Sequence, residues 1–398
     1  QCPVCKRVLR NEGKTVSTMR PRPEVSSRFA VAVTAAAANT GVRRSFPPER
    51  PHFRLKRTIF LSVIFPVLLV AAVAGIVAGS THVDWHIALR VIGARLLPFW
   101  ISRGGIEKAD DVIIWLIRTP RVIIAALVGA GLAVAGGLMQ GLFRNPLAES
   151  NTVAVGPGAV LGAIIVFSTG LAAKSVVAVP LAAFAGALLA LVTVYALSTR
   201  GGVTPVSTLL LSGIALSALL VAAASLLLSM TVANWEVAQE IIFWINGGLA
   251  KRSWTHVWLS APFICFGITL SLYYARDLDL LMQGEDEASA LGVDVQSAKR
   301  AIVVIAALII GSAVAVSGAI GFVGLIVPHV VRLFVGPSHR ALLPSSAVTG
   351  AAFVIICDLL ARTLHPPTEI PLGIITAAFG GPFFLFILAR RYRELNGR

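Results

Sequence analysis

The chain has 398 residues, of which 56% are hydrophobic and only 13% are charged, and its formal net charge is +15. A soluble domain carries about 25% charged residues, so this composition excludes an ordinary soluble enzyme and predicts a polytopic membrane protein. Several apolar runs exceed about 18 residues, which is enough to cross a bilayer core. These runs lack strand-like alternation, so we expect an all-α membrane protein rather than a β-barrel.

The basic excess lies at the N-terminus. Residues 1–57 hold 13 Lys or Arg against three Glu and end in RLKR, directly before the first apolar run. Positive charge beside a span favours the cytoplasmic side, so this pattern indicates membrane orientation and not nucleic-acid binding. We predict that residues 1–57 form a disordered cytoplasmic tail, in which Met19 is the first internal position where translation could start. Residues 58–398 then form the membrane domain.

Ten apolar spans can be read in chain order, and an even number places both termini in the cytoplasm. The Lys and Arg residues outside the tail divide almost evenly between the two sides, so the tail decides the orientation. The ten predicted spans are Ile59–Gly79, Val122–Leu142, Val153–Thr169, Leu171–Leu197, Pro205–Met230, Trp254–Ala275, Ala301–Gly318, Ile320–Val335, Leu342–Leu364 and Leu372–Ala389.

An internal repeat relates two of these spans. A shift of 182 residues places AALVGAGLAVAGGLMQGLFRNP (125–146) on ALIIGSAVAVSGAIGFVGLIVP (307–328), with six identities in 22 positions. In the predicted topology the two copies cross the membrane in opposite directions. Inverted repeats of this kind are typical of transporters.

The sequence contains no complete motif for nucleotide binding, metal binding or catalysis. Lys14 follows Gly13 as in a phosphate-binding loop, but Val8 stands where that loop needs glycine. Cys2 and Cys5 form half of a zinc knuckle, and no second pair follows at suitable spacing. We therefore predict no catalytic residue, no metal site and no cofactor. Proton-driven carriers need relays of buried carboxylates or histidines, which the sequence lacks.

A transport protein that has no energy source of its own needs a surface that binds an external energy-supplying subunit. The polar segment GEDEASALGVDVQSAKR (284–300) lies between predicted spans six and seven, on the cytoplasmic side. It reads as a short helix with acids in its first turn and a glycine at its end. We interpret residues 278–300 as a coupling segment for an external ATPase, with a merely solvated loop as the alternative. The predicted contact residues are Gly284, Glu285, Asp286, Glu287, Ala288, Ala290, Leu291 and Gly292.

These segments resemble those of the iron-chelate and cobalamin uptake permeases of type II ABC importers. The resemblance runs from Arg118 to Arg391 and is carried by RTPRVIIAALVGAGLAVAGGLMQGLFRNPLAE, VAVGPGAVLGA, GEDEASALGVD, SGAIGFVGLIVPHVVRL and EIPLGIITAAFGGPFFLFIL. It implies a ten-helix permease that forms a homodimer in a bacterial or archaeal cytoplasmic membrane. Two ATPase subunits would bind on the cytoplasmic side, and a periplasmic or lipid-anchored binding protein would deliver substrate on the other.

The resemblance also implies two sets of site residues. Arg118, Arg121 and Arg362 match arginines that dock the binding protein in the cobalamin member of the family. The alternative for Arg362 is an ion pair with Asp358, four residues earlier on the same helix. The cytoplasmic gate of that member maps onto Asn145, Leu147, Val206 and Ser207, where Val206 replaces a hydroxyl residue.

The predicted function is therefore the permease subunit of an importer for a bulky iron chelate, either a ferric siderophore or haem. Cobalamin is the nearest alternative substrate. An ion-coupled secondary carrier is an alternative from another class, and it would need no ATPase.

Overall fold

The computed structural model describes residues 51–79, 83–96, 107–149, 153–366 and 368–396. Within these ranges seven helices are long and apolar enough to cross a membrane, and three shorter apolar helices accompany them. Their total matches the ten predicted spans, and the all-α expectation is confirmed. The predicted tail lies mostly outside the described residues, but its last seven residues, 51–57, belong to the first helix.

The helices are numbered in chain order, leaving aside the single turn Leu171–Lys174. They are α1 (Pro51–Val77), α2 (Trp85–Leu96), α3 (Lys108–Leu142), α4 (Val155–Ser168), α5 (Ala178–Ser198), α6 (Val206–Thr231), α7 (Trp235–Ile245), α8 (Trp254–Tyr273), α9 (Ala275–Leu281), α10 (Glu285–Ala290), α11 (Val295–Ser317), α12 (Val323–Val335), α13 (His339–Thr363) and α14 (Leu372–Asn396).

Several boundaries differ from those predicted. Helix α3 begins 14 residues before the predicted span, at Lys108, and contains a π-helical turn over Val112–Arg118. The predicted span Leu171–Leu197 is interrupted, because Ser175 is extended and α5 begins only at Ala178. Helices α2 and α7 were not predicted, since both are too short to give a span signal.

Helix α3 lies at the centre of the bundle and packs against α8, α11, α12 and α13. Small residues permit these close approaches, because burial of apolar surface gives little drive for helix association in a membrane. A Cβ atom on Gly129 would overlap the carbonyl oxygen of Gly350 in α13, and one on Gly136 would overlap Gly324 in α12. The glycines thus set the distance between α3 and its neighbours.

Two contacts along α3 fix the direction of α13. Arg121, in the first half of α3, binds Asp358 close to the end of α13, and Gly141, near the end of α3, lies against His339 at the start of α13. These two helices are therefore antiparallel. We call the two ends of the bundle the arginine end, at Arg121, and the coupling end, at Gly141.

Helix α9 lies at the coupling end, because Leu278 packs against Gly141. Helix α10 follows α9 directly, and its Glu285 pairs with Lys299 in the first turns of α11, so α11 begins at the same end. Helix α3, which holds most of the first copy of the sequence repeat, and helix α11, which holds the first half of the second copy, thus run in opposite directions, as an inverted repeat requires. Their ends differ: α3 continues through Gly136, whereas α11 stops at the equivalent Gly318, whose φ of 68° is left-handed.

The contact between α3 and α13 predicts the effect of adding one methyl group. Gly129→Ala is expected to lower the thermal midpoint of the detergent-solubilised protein, since overpacking a tight contact costs about 1–3 kcal/mol. Gly381→Ala in α14 is the matched control, because a Cβ there meets no atom within 4 Å. Scanning fluorimetry measures both midpoints. Equal midpoints for the two variants would contradict a tight α3–α13 contact.

Candidate functional site

Two arginines at the arginine end cap the C-terminus of α1. Arg118 Nη1 donates hydrogen bonds to the carbonyl oxygens of Ile76, at 3.0 Å, and Val77. Arg362 Nη2 donates to the carbonyl of Gly75. The last carbonyls of a helix lack partners within it and carry the negative end of its dipole, so guanidinium groups suit this position.

Arg121 lies between two carboxylates. Its Nε and Nη2 atoms lie 3.0 and 2.9 Å from Oδ1 of Asp358, and its Nη1 and Nη2 atoms lie 2.8 and 2.9 Å from the two carboxylate oxygens of Glu369. Asp358 also pairs with Arg362 Nε at 3.5 Å, which confirms the ion pair considered from the sequence. We call Arg118, Arg121, Asp358, Arg362 and Glu369 the arginine cluster.

The arginine cluster is internal to this chain. Arg118, Arg121 and Arg362 are only 4%, 8% and 7% exposed, and each of their guanidinium groups binds groups of α1, α13 or the segment after α13. Their contacts thus hold the ends of α1 and α13 against the first half of α3. Direct contact between these arginines and a binding protein stays a prediction.

At the other end, α10 confirms the predicted short helix with its glycine stop. It spans Glu285–Ala290 with three acids in its first turn, and Gly292 follows with a left-handed φ of 87°. Gly284 and Ala288 are buried, so this side of the helix packs against the bundle. The exposed positions of this segment are Asp286, Glu287, Ser289, Ala290, Leu291 and Gly292, which we call the coupling surface.

Glu285 has a different role from its two acidic neighbours. Its carboxylate pairs with the buried Lys299 of α11 at 2.6 Å, and Lys299 also donates to the carbonyl of Thr204 just before α6. This pair fixes α10 on α11. At the start of α11, hydrogen bonds from Ser297 hold the pKa of Asp294 below its usual range, so Asp294 stays charged at the helix N-terminus.

The coupling segment is also fixed to α13 and α3. Asp279 in α9 accepts hydrogen bonds from the backbone N–H of His339 at 2.9 Å and from Ser338 Oγ at 3.1 Å. The ring of His339, which is fully buried, binds the same carboxylate. A Cβ on Gly141 would lie 2.8 Å from the Leu278 side chain. Movement of α9 would therefore reach the ends of α13 and α3.

The predicted gate residues lie at this end in two separate segments. The side chain of Asn145 accepts a hydrogen bond from the backbone N–H of Leu147 at 3.0 Å, which forms a tight turn after α3. Val206 and Ser207 form the first turn of α6, next to the buried Thr204 that binds Gln296 and Lys299. The structure thus joins the start of α6 to the coupling segment through Thr204. The gating role of all four residues stays a prediction.

An apolar cavity of about 280 Å³ lies between α4, α6, α7 and the loop before α12. Ser225 is the only hydroxyl residue in its lining, and no charged residue contributes. In the part of the chain that the structure describes, no group of three His, Cys, Asp or Glu could hold a metal ion. The cavity lining is Gly156, Pro157, Val160, Val221, Ala224, Ser225, Leu228, Ile245 and Ala319.

Sequence reasoning missed a contact at the start of α12. Glu149 Oε1 accepts a hydrogen bond from the backbone N–H of Phe322 at 2.9 Å, at the N-terminus of α12. Phe322 adopts a left-handed φ of 67°, and its side chain cannot cap the helix. The one sequence signal was that α12 begins without Ser, Thr, Asp or Asn, so its cap had to come from elsewhere.

Comparison of the sequence with known proteins finds one transport family and several permease proteins. Residues 66–390 match the model of the FecCD transport family. The chain is 46% identical over 304 residues to the cobalamin import system permease protein BtuC of Halobacterium salinarum, which covers 76% of this chain and 79% of that protein. It is 41% identical over 288 residues to the hemin transport system permease protein HmuU of Yersinia pestis, covering 71% and 85%.

A solved structure shows a similar arrangement. It is an inward-facing conformation assigned to the metal-chelate type of ABC transporters, and it matches with a TM-score of 0.72 at 29% identity. The match covers 84% of this chain and 99% of that chain.

The arginine cluster predicts unequal effects for its two carboxylates. The Asp358 side chain is 2% exposed and that of Glu369 is 33% exposed. Asp358→Asn is expected to lower the thermal midpoint and the monodisperse yield far more than Glu369→Gln, because breaking a buried ion pair costs about 3–5 kcal/mol. Asp111→Asn, which breaks the half-exposed pair with Arg95, is the control, and its cost should stay within about 1 kcal/mol. Similar shifts for all three variants would show that burial does not set their importance.

Proposed function

The chain belongs to the FecCD transport family, and from this premise we propose that it lines the membrane pathway of an ATP-driven importer for a bulky iron chelate, either a ferric siderophore or haem. At the coarser level, it is a multi-pass membrane permease of the type II ABC importer family that serves iron chelates, cobalamin and haem. The permease is a transport subunit, and a separate ATPase would supply the energy.

The apolar cavity is the observation that carries the substrate proposal. Its walls hold one hydroxyl residue and no charge, so they offer no strong site to a small ion. A bulky chelate presents a broad organic surface and keeps its metal enclosed, so it can pass along such walls without being held. The cavity forms part of the pathway, which we propose is completed by a second copy of the chain.

The exposed face of α6 supports the second copy. Leu211, Leu219, Leu226 and Met230 are between 61% and 72% exposed on the helix that also lines the cavity. A homodimer along this helix would place two cavities on one central pathway. Each copy would then carry one coupling surface, which fits two ATPase subunits.

Cobalamin is the second candidate substrate. The observation that favours it is the 46% identity with a cobalamin permease, against 41% with a hemin permease. Both ligands are large chelates of a metal, so the apolar lining by itself fits either of them.

We further propose that the coupling end faces the cytoplasm and that the arginine end receives the substrate-binding protein. The basic segment that precedes α1 supports this orientation, since such segments remain inside. Arg118, Arg121 and Arg362 would act there by holding α1, α3 and α13 in the shape that the binding protein recognises. Both termini would then lie in the cytoplasm.

Reconstituted transport tests the function. The permease with its ATPase is placed in proteoliposomes loaded with ATP, and its binding protein is supplied outside with a labelled ferric siderophore, haem or cobalamin. We expect ATP-dependent uptake of a siderophore or haem. If only cobalamin is taken up, the proposed substrate is wrong and the proposed permease function stands. Uptake that needs an ion gradient and no ATP would overturn the importer in favour of a secondary carrier.

The coupling surface predicts how ATPase binding depends on charge. Asp286→Lys combined with Glu287→Lys is expected to weaken copurification of the ATPase several-fold at low salt, because each exposed charge pair contributes about 0.2–1 kcal/mol. Leu291→Ala should weaken it further, since this leucine is 53% exposed on the same surface. Pull-down at two salt concentrations measures the effect.

The control variant has the same change in net charge at a site outside the coupling segment. Glu236→Lys combined with Glu240→Lys alters two exposed acids on α7, away from the coupling segment. ATPase copurification should stay at the wild-type level in this variant. If both double variants lose the ATPase equally, net charge and not the coupling surface controls the interaction.

A further inference from the structure

The π-helical turn of α3 needs two unusual hydrogen bonds. At its end the backbone N–H of Thr119 bonds to the carbonyl of Ile114, five residues earlier, and the Thr119 hydroxyl donates to the same oxygen at 2.7 Å. The next N–H in this pattern would belong to residue 120 and would bond to the carbonyl of Trp115. Residue 120 is proline, which has no N–H, so that carbonyl loses its backbone donor.

Trp254 of α8 supplies the missing donor. Its indole N–H donates to the carbonyl of Trp115 at 2.7 Å, and the two indole rings lie 5.0 Å apart. The Arg95 guanidinium, which is paired with Asp111, lies 5.5 Å from the Trp115 ring. The carbonyl is therefore satisfied by a residue from another helix, 139 positions away in the chain.

The π-helical turn determines where Arg118 points. A π-turn adds one residue to the helix, which rotates the preceding segment by about 100° relative to an uninterrupted α-helix. Arg118 is the last residue of the turn and lies three positions before Arg121, so the wider winding of the turn sets the angle at which Arg118 leaves the helix relative to Arg121. At this angle Arg118 donates to the carbonyls of Ile76 and Val77 while Arg121 pairs with Asp358. We therefore expect relaxation of the turn to an α-helix to disturb the hydrogen bonds of Arg118 with α1.

We propose that Trp254 is a positioning residue: its indole N–H completes the π-helical turn that Pro120 leaves one donor short, and it thereby holds Arg118 on the C-terminus of α1. The positioning acts within this chain. Its consequence for capture of a binding protein rests on the proposed function of the arginine end.

Hydrogen exchange tests the positioning without any transport partner. Trp254→Phe keeps an aromatic ring and removes the N–H donor, so amide exchange in residues 112–121 and 73–79 should rise about fivefold to tenfold, the effect of one lost hydrogen bond. Trp258→Phe is the matched control, because Trp258 lies one turn later on α8 and is 72% exposed. It should leave both segments at the wild-type rate.

A second substitution separates the hydrogen bond from ring packing. Pro120→Ala restores a backbone N–H, so in this background Trp254→Phe should change exchange less than twofold. An equal effect of Trp254→Phe in both backgrounds would overturn the proposal in favour of packing. Faster exchange in 112–121 with wild-type exchange in 73–79 would also overturn it, since Arg118 would then be held without Trp254.

The functional consequence has a separate readout. The complex of the permease and its ATPase is tested for capture of the binding protein, with wild-type and Trp254→Phe permease compared. Weaker capture with unchanged ATPase content is expected. If exchange changes as expected while capture does not, the positioning of Arg118 stands and the proposed docking function of the arginine end is wrong.

Discussion

The arginine end of this protein depends on one buried carboxylate, Asp358. It is 2% exposed and lies between Arg121 and Arg362, and in an apolar bundle a buried charge is tolerated only when it is paired. Arg121 extends the network to Glu369, while Arg362 and Arg118 reach the last carbonyls of α1. A single carboxylate thus makes the positions of three helices interdependent. Loss of Asp358 would leave two adjacent guanidinium groups without their common partner.

The coupling end uses the same kind of contact for a different purpose. Asp279 joins α9 to α13, and Glu285 joins α10 to α11 through Lys299. These pairs lie at helix ends, so they connect the coupling segment to two long helices, α13 and α11, and leave Asp286, Glu287 and Leu291 exposed. Polar groups thus concentrate at the two ends of the bundle, and the cavity between α4, α6 and α7 has an apolar lining. This distribution fits the proposed function, in which an ATPase would act at the coupling end and a binding protein at the arginine end.

Much of this could be predicted from the sequence. Apolar runs predicted the spans, because length and hydropathy are local properties of the chain. Acids in the first turn and the glycine at 292 predicted α10 for the same reason, and Gly292 adopts the left-handed conformation that a glycine stop requires. The prediction was weaker for short or irregular helices. Helices α2 and α7 lack the length of a span, and the π-helical turn of α3 has no periodicity that a sequence pattern reveals.

The sequence by itself determined the membrane location, the order of the spans, the short helix α10 and the family resemblance, since each rests on neighbouring residues or on a continuous motif. Only the tertiary structure decided what the charged residues do. Arg121 lies 237 positions from Asp358, Glu149 lies 173 from Phe322, and Trp254 lies 139 from Trp115. A sequence shows that such groups are present in apolar surroundings and must find partners. Which partners they find depends on the close approach of helices that the chain itself keeps far apart.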